Sequence, residues 1–273
     1  MKNNDLRIID THCHAGLNWF EPVESLIFQM DNNGVDGAIL IQHGGTFDNE
    51  YLFEVSRKFP NRFKLVCLVD PSAKDPVKKL ENLAEKGASG IRMSPNSRFD
   101  NVDVNDFWSI CGKMGLAVSV IGSLEDFSSE NFKKIIDQNP RTKIVLEHLA
   151  GFSNYKAQKG ELMAFHELII QYKKVLEYGS RDNVYMKIPG LGELEPRPEI
   201  LSPSFSLIDS RGIVDMTLEL FGSEKLMWGS DFPPVSNREG YTNALNWIKE
   251  SKTFSKKEKE DLFSKVPQKV FGI

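Results

Sequence analysis

Eight short apolar runs, each followed by a longer segment of helical character, constrain this chain more than any other feature. They are Leu6–Cys13, Asp36–Gln42, Phe63–Asp70, Ser89–Met93, Leu116–Ile121, Lys143–Leu149, Val184–Ile188 and Leu226–Ser230. Several are rich in Val, Ile and Leu without strict polar alternation, as expected for parallel strands with helices on one face and a packed interior on the other. The intervening segments carry helix punctuation. Pro22 stands where a first helical position falls, Gly34 where a left-handed C-cap falls, and Asp75-Pro76 and Gly87 repeat the pattern. Asn105–Met114 stops at Gly115, and Asn131–Asp137 stops before Pro140. Eight such units predict an α/β fold, a single (β/α)₈ TIM barrel over residues 1–273, for which this length is ordinary. No G-x-G-x-x-G follows the first strand and no P-loop occurs, which argues against an open nucleotide-binding sheet.

Composition narrows the function classes. Hydrophobic residues make up 40% of the chain and charged residues 26%, and no apolar run has the length of a membrane span. Lys plus Arg number 34 against 38 Asp plus Glu, so neither a nucleic-acid groove nor a polybasic membrane surface is indicated. The expected partner is a small-molecule substrate, and a homo-oligomer is compatible with everything above. Cys13, Cys67 and Cys111 cannot all pair and fit no zinc module, so reduced thiols are expected. Met1–Asp5 is polar and the first strand-like run follows at once, with no secretory pattern, so the expected location is cytoplasmic. The connections after His148 and Lys187 are longer than the rest. The second, Gly190–Asp209, reads as a lid or substrate-binding loop. Glu161–Tyr178 reads as an amphipathic helix with His166 on its surface, and Lys256–Asp261 as a solvated helix face.

In this barrel, active sites lie at the C-terminal strand ends. The first strand ends Asp10-Thr11-His12-Cys13-His14, and period-two alternation sends His12 and His14 into the mouth and Cys13 away from them. Two adjacent imidazoles can hold a divalent metal or hydrogen-bond a carbonyl oxygen; histidines satisfied by backbone are the plainer alternative. The eighth strand ends Gly229-Ser230-Asp231-Phe232-Pro233, and closure of the barrel sets Asp231 beside the two histidines. A carboxylate there can ligate a metal, deprotonate water, or do both, although a turn aspartate ahead of a proline would look the same. His148, read on the face of Ile144 and Leu146, adds a third imidazole across the mouth. Arg92 offers a two-pronged grip on a carboxylate and Lys187 a point charge; a barrel-layer arginine and an internal ion pair are the alternatives. Gln42 and His43, ahead of Gly44-Gly45, are further candidates for substrate contact.

Read in order, the segments IIDTHCH, the Asp48-Asn49 turn, GIRMSP around Arg92, VLEHLAG around His148, VYMKIPG around Lys187, MWGSDFP around Asp231 and the terminal Val270-Phe271-Gly272 resemble the amidohydrolase superfamily. The likeness is to its second amidohydrolase family of barrel hydrolases, lactonases and decarboxylases, and within it to the lactonase-like branch that opens sugar or pyrone lactones. The resemblance implies a hydrolase that opens a small carboxylate- or sugar-derived lactone. Asp231 would activate water, His12, His14 and His148 would stabilise the oxyanion, and Arg92 and Lys187 would hold substrate. Two departures matter. Arg92-Met93-Ser94 stands where binuclear members carry a carboxylated lysine, and Val120-Ile121-Gly122-Ser123 where decarboxylase members carry a metal-binding histidine. The ligands left for one divalent ion are His12, His14 and Asp231, with His148 as a fourth, and that set suits zinc. Metal-free operation, as in lactonase-like relatives, stands beside this. A metal-dependent decarboxylase of an aromatic or unsaturated acid is the second reading, and a barrel that only binds a ligand the third.

Overall fold

The structure, a computed structural model, describes residues 6–18, 20–152, 162–194 and 208–273. Its centre is a parallel sheet of β1 (Ile9–Cys13), β2 (Gly37–Ile41), β3 (Phe63–Cys67), β4 (Gly90–Met93), β5 (Ala117–Val120), β6 (Ile144–Leu146), β7 (Val184–Ile188) and β8 (Leu226–Trp228), neighbouring one another in sequence order. Just beyond β8 the ring closes. Cys13 bridges Phe232 in parallel, Asp231 N–H donates to the His12 carbonyl at 2.7 Å, and His14 N–H donates to the Phe232 carbonyl at 2.7 Å. This is the (β/α)₈ barrel expected from the eight strand signals.

The helices between the strands follow the punctuation in the sequence. Helix α1 (Val23–Asn33) ends at Gly34, whose φ of 69° is the left-handed cap that glycine adopts without penalty. Pro22 lies one residue earlier than expected, at the N-cap. Helix α2 spans Glu50–Lys58. The Asp75 side chain caps α3 (Pro76–Glu85) by accepting from Lys78 N–H, and Asp103 caps α4 (Val104–Lys113) through Asn105 N–H. Helices α5 (Leu124–Ser128), α6 (Glu130–Gln138), α7 (Leu162–Leu176), α8 (Ile208–Phe221) and α9 (Tyr241–Lys249) continue the outer layer. The His166 side chain and most of Gly190–Asp209 fall outside the described residues, so neither expectation about them is addressed. Among the described residues no helix is long and apolar enough to cross a membrane.

Alternate strand residues separate two cores. One set, including Leu40, Leu65, Val118, Leu146 and Trp228, packs under the helices. The other fills the barrel with Ile9, Ile39, Ile41, Val66, Ala117, Val145, Tyr185 and Met227. The chain's last turns, α10 (Lys256–Glu260), a π-helical turn (Asp261–Lys265) and α11 (Val266–Phe271), add Val266, Val270, Phe271 and Ile273 to that inner set. They plug the end where the strands begin: Arg7 donates to the Ile273 carbonyl at 3.0 Å. No residue of α10 is buried, but Asp261, the last of the charge run expected to be solvated, is buried and bonded to Ser223 and Lys257. With the floor sealed, polar side chains above the plug face only the open mouth.

Candidate active site

The strand-end histidines reach the mouth through a break in β1. Ile9 belongs to the inner core and Cys13 to the outer one, four residues on, which strict alternation forbids. The register shifts between Asp10 and Cys13, a β-bulge that turns His12 and His14 inward. Asp10 holds the break from outside the barrel. Its fully buried carboxylate accepts from His12 N–H at 3.1 Å, Ser230 N–H at 2.9 Å, Ser230 Oγ at 2.6 Å and Tyr241 OH at 3.0 Å. Asp10 thereby ties β1 to the end of β8. Gly229 completes the seam, since a Cβ there would lie 2.6 Å from His12 Cβ and only glycine lets the strands approach so closely.

The two imidazoles converge on Asp231. Its Oδ1 lies 3.5 Å from His14 Nε2 and 3.8 Å from His12 Nε2, while Oδ2 accepts from Arg238 Nη1 at 2.9 Å. His14 Nδ1 is 2.7 Å from the Ile41 carbonyl, which can only accept, so that nitrogen carries a proton. His12 is arranged the other way. Lys187 Nζ stands 3.0 Å from its Nδ1, so an ammonium donating there leaves the proton on Nε2. That buried Nε2 has no hydrogen-bond partner. Burial and the Lys187 charge hold the His12 pKa well below the usual imidazole value, so the ring is neutral.

His148 arrives by a route that corrects the sequence reading. Ile144 and Leu146 face the helices, so a residue continuing their side of β6 would point out of the barrel. Instead β6 ends, and His148, Leu149 and Ala150 take left-handed φ values of 51°, 49° and 52°. The turn swings the imidazole back over the mouth, its ring centroid 4.6 Å from that of His12. Burial alone would lower the His148 pKa, but Glu193, accepting from Nδ1 at 2.8 Å, and Asp231 raise it to about 9. Glu193 also lies 3.2 Å from Arg238 Nη2, which closes a chain His148–Glu193–Arg238–Asp231 around the mouth. Burial works to raise the Asp231 pKa, yet His14, His148 and His12 hold it well below the carboxylate range.

Beneath the histidines lies a charged layer. Glu147 faces inward from the end of β6 and accepts from Arg92 Nη2 at 2.7 Å, Arg92 Nε at 3.1 Å and Ser119 Oγ at 2.7 Å. Arg92 Nη1 donates to the Gln42 carbonyl at 3.2 Å, and Lys187 donates to Ser119 Oγ at 3.0 Å. Burial opposes ionisation of Glu147, but Arg92 and Lys187 bring its pKa down to about 2; burial lowers that of Lys187 to about 8. Arg92 and Lys187 are thus already paired with protein. The Gln42 side chain donates to the Asp48 carbonyl and accepts from His43 N–H, while His43 contacts the Gly44 carbonyl and Thr46 Oγ1. Both shape the loop after β2.

Against this geometry, comparison with known proteins gives a family. The amidohydrolase family model, of the Amidohydro_2 type, matches residues 9–273. The chain belongs to that family. No curated protein sequence matches it. A probable 2-pyrone-4,6-dicarboxylic acid hydrolase from Acinetobacter baumannii, with citric acid bound, superposes with a TM-score of 0.75 at 18% identity, covering 98% of this chain and 100% of that one. An amidohydrolase from Burkholderia multivorans with bound zinc gives 0.76 at 16% identity, covering 98% and 99%. A dihydroxybenzoic acid decarboxylase from Polaromonas with manganese and 2-nitroresorcinol gives 0.65 at 14% identity, covering 97% of each. Hydrolases and decarboxylases thus share this amidohydrolase fold, and at such identities the likeness is one of fold alone.

The donor set also bears on a metal. Nε2 of His12, Nε2 of His14 and Oδ1 of Asp231 group closely enough to share one ion. The 3.5 and 3.8 Å separations approach the roughly 3.3 Å edge of a tetrahedral zinc site. The residues therefore fit a divalent ion. His12 joins only with its proton moved off Nε2, against the Lys187 ammonium. Asp10, Ser119, Glu147, Glu193, Arg238 and Tyr241 were not among the residues singled out from sequence.

Proposed function

We propose that this amidohydrolase-family chain is a lactone hydrolase in which Asp231 takes the proton from the attacking water. The single observation that carries this reading is the buried, unpartnered Nε2–H of neutral His12, set 3.8 Å from the ionised Asp231. A donor without a partner, held in place by Lys187, is what a developing oxyanion requires, because it needs no reorganisation when charge appears. His148, carrying a proton below about pH 9, adds positive charge on the same side.

Each further residue has a derived part. Arg238 occupies Oδ2 of Asp231 and leaves Oδ1 toward the imidazoles, so one oxygen is reserved for the proton. The low pKa keeps Asp231 ionised but makes it a weak base, so proton transfer depends on the imidazoles neutralising the oxyanion in the same step. Arg92 and Lys187, expected from sequence to grip substrate, act here through Glu147 and His12, holding the donor array rigid. When bound, a divalent ion would be held by His12, His14 and Asp231 and would supply Lewis-acid polarisation of the carbonyl.

Activity of wild type and Asp231→Asn on a lactone panel, followed by proton release, tests the reading. Opening of a ring by wild type and its loss in the variant are expected. Carbon dioxide release from a dihydroxybenzoate, with no lactone opened, would replace this reading with the decarboxylase one. Against that outcome, the end of β5 reads Val120-Ile121-Gly122-Ser123, without the histidine that the resemblance to decarboxylase members would lead one to expect there.

A further inference from the structure

We propose that the ring opened here carries an apolar aromatic or alkyl arm, seated over the ends of β3, β4 and β5, with no second carboxylate and no polyol on that side. The ring itself rests on the lactone-hydrolase reading; the arm rests on the cavity. A cavity of about 190 Å³ lies at these strand ends, smaller than a cleft for a whole ligand and of a size for one arm of it. Phe47, Leu68, Val69, Met93, Phe99 and Ile121 line it.

Its polar side chains already have partners within the protein. Ser97 Oγ accepts from Ser94 N–H at 2.9 Å and lies 3.4 Å from Ser94 Oγ, so the two hydroxyls satisfy their own turn. Arg92, the charged member of the described lining, directs Nε and Nη2 at Glu147 and Nη1 at the Gln42 carbonyl. A carboxylate placed here would compete with Glu147 for Arg92, and sugar hydroxyls would give up water for two serine hydroxyls on an otherwise apolar wall.

Two further observations point to an apolar occupant. Phe47 and Ile121 remain 40% and 41% exposed, large apolar side chains held open at the cavity rim. Apolar surface gathered at a concave site marks a place that a ligand covers. Arg92 joins the two regions, since it lines the cavity and binds Glu147, which lies 3.8 Å from His12 Nδ1. On this proposal the substrate sets its carbonyl at the β8–β1 seam and its arm over the ends of β3, β4 and β5.

The test compares γ-butyrolactone, γ-phenyl-γ-butyrolactone, glucono-lactone and 2-pyrone-4,6-dicarboxylate. Wild type should open the phenyl lactone with kcat/KM at least about tenfold above that of γ-butyrolactone, the discrimination a hydrophobic pocket readily gives. Ile121→Asp, at a half-open position, should bring that ratio toward one, and Ile121→Ala should fall between. A preference for glucono-lactone or the dicarboxylate overturns the arm while leaving the hydrolase reading in place. Should no lactone be opened, the hydrolase reading fails and calorimetry on Asp231→Asn decides the arm separately. Binding of the phenyl lactone at least tenfold tighter than γ-butyrolactone sustains it, and equal binding overturns it.

Discussion

Replacing Asp10 separates how the site is held from what it does. Asp10 touches no part of the mouth, yet its carboxylate gathers four donors from β1, the end of β8 and α9. In Asp10→Ala, the Ser230 and Tyr241 hydroxyls can rotate toward other acceptors. The backbone N–H groups of His12 and Ser230 cannot. A stranded buried donor costs about 1–3 kcal/mol, so the two together cost about 2–6 kcal/mol. That is a large share of the roughly 5–15 kcal/mol that holds a domain folded. Asp10→Asn behaves differently. The amide oxygen still accepts from both N–H groups, and the amide nitrogen donates to the two hydroxyls, which accept as readily as they donate. Burial already raises the Asp10 pKa, a sign that the ionised form is expensive there, so the neutral amide should lie within about 1 kcal/mol of wild type. Urea unfolding followed by far-UV circular dichroism measures both. Equal losses in the two variants, or a loss below about 1 kcal/mol in Asp10→Ala, would refute this account of the seam. Lactone turnover should follow the same split, with Asp10→Asn active and Asp10→Ala impaired, because Asp231 rides on the strand end that Asp10 fixes.

Four further outcomes follow from the same contacts. Asp231→Asn should fold normally, since asparagine tolerates the φ of 58° at this position, and should lose about 10²–10⁴ in kcat as expected for a general base; a fully active variant contradicts the assignment. Glu147→Gln should lose about 3–5 kcal/mol in denaturant unfolding, because Arg92 and Lys187 lose their shared counter-charge in a buried layer; a loss under about 1 kcal/mol would show that layer to be solvated. Lys187→Met should bind zinc at least about tenfold more tightly by calorimetry, since an ammonium 3.0 Å from His12 repels a cation and fixes the wrong proton; an unchanged Kd would mean that His12 is not a ligand. Asp261 is held below its ordinary 3.8 because Lys257 and Ser223 outweigh the opposing effect of burial. Its contribution to stability is therefore complete above about pH 4 and lost as pH falls through the lowered value, and Asp261→Asn should flatten the acid side of the stability curve. Parallel wild-type and variant curves would refute that linkage.

The barrel was legible because it depends on local signals. Strand runs, the glycine at 34 and the Asp75-Pro76 cap each act within a few residues; every strand falls inside its run, up to three residues shorter at an end, and Gly34 and Asp75 cap their helices as expected. The site was legible only in part. His12 and His14 do share a face, but counting from Ile9 would have sent them outward, because the bulge lies between. What fixes the bulge is Asp10 bonding to Ser230, 220 residues later, and no window of sequence contains both. His148 reached the mouth for a reason different from the one read in the sequence. Glu193 and Arg238 belong to loop segments whose composition carries no periodicity, so their meeting across the mouth is set by the closed ring alone.

These breaks share one physical cause. A strand delivers every second side chain to the barrel interior, so consecutive residues cannot both serve the mouth while the strand continues. At the end of β6 both Glu147 and His148 do so, one as counter-charge for the lower layer and the other as an imidazole above it. That demands abandoning the extended backbone at once, and the left-handed turn from His148 to Ala150 is how the chain does it. Asp231 meets the same demand at the β8 end with a φ of 58°. Left-handed backbone costs an ordinary residue about 1–2 kcal/mol, and the chain bears it at His148 and Asp231, which face the mouth, and at Leu149 and Ala150, which complete the turn. The regular parts of the strands hold the site's position, and their irregular ends determine which atoms meet there.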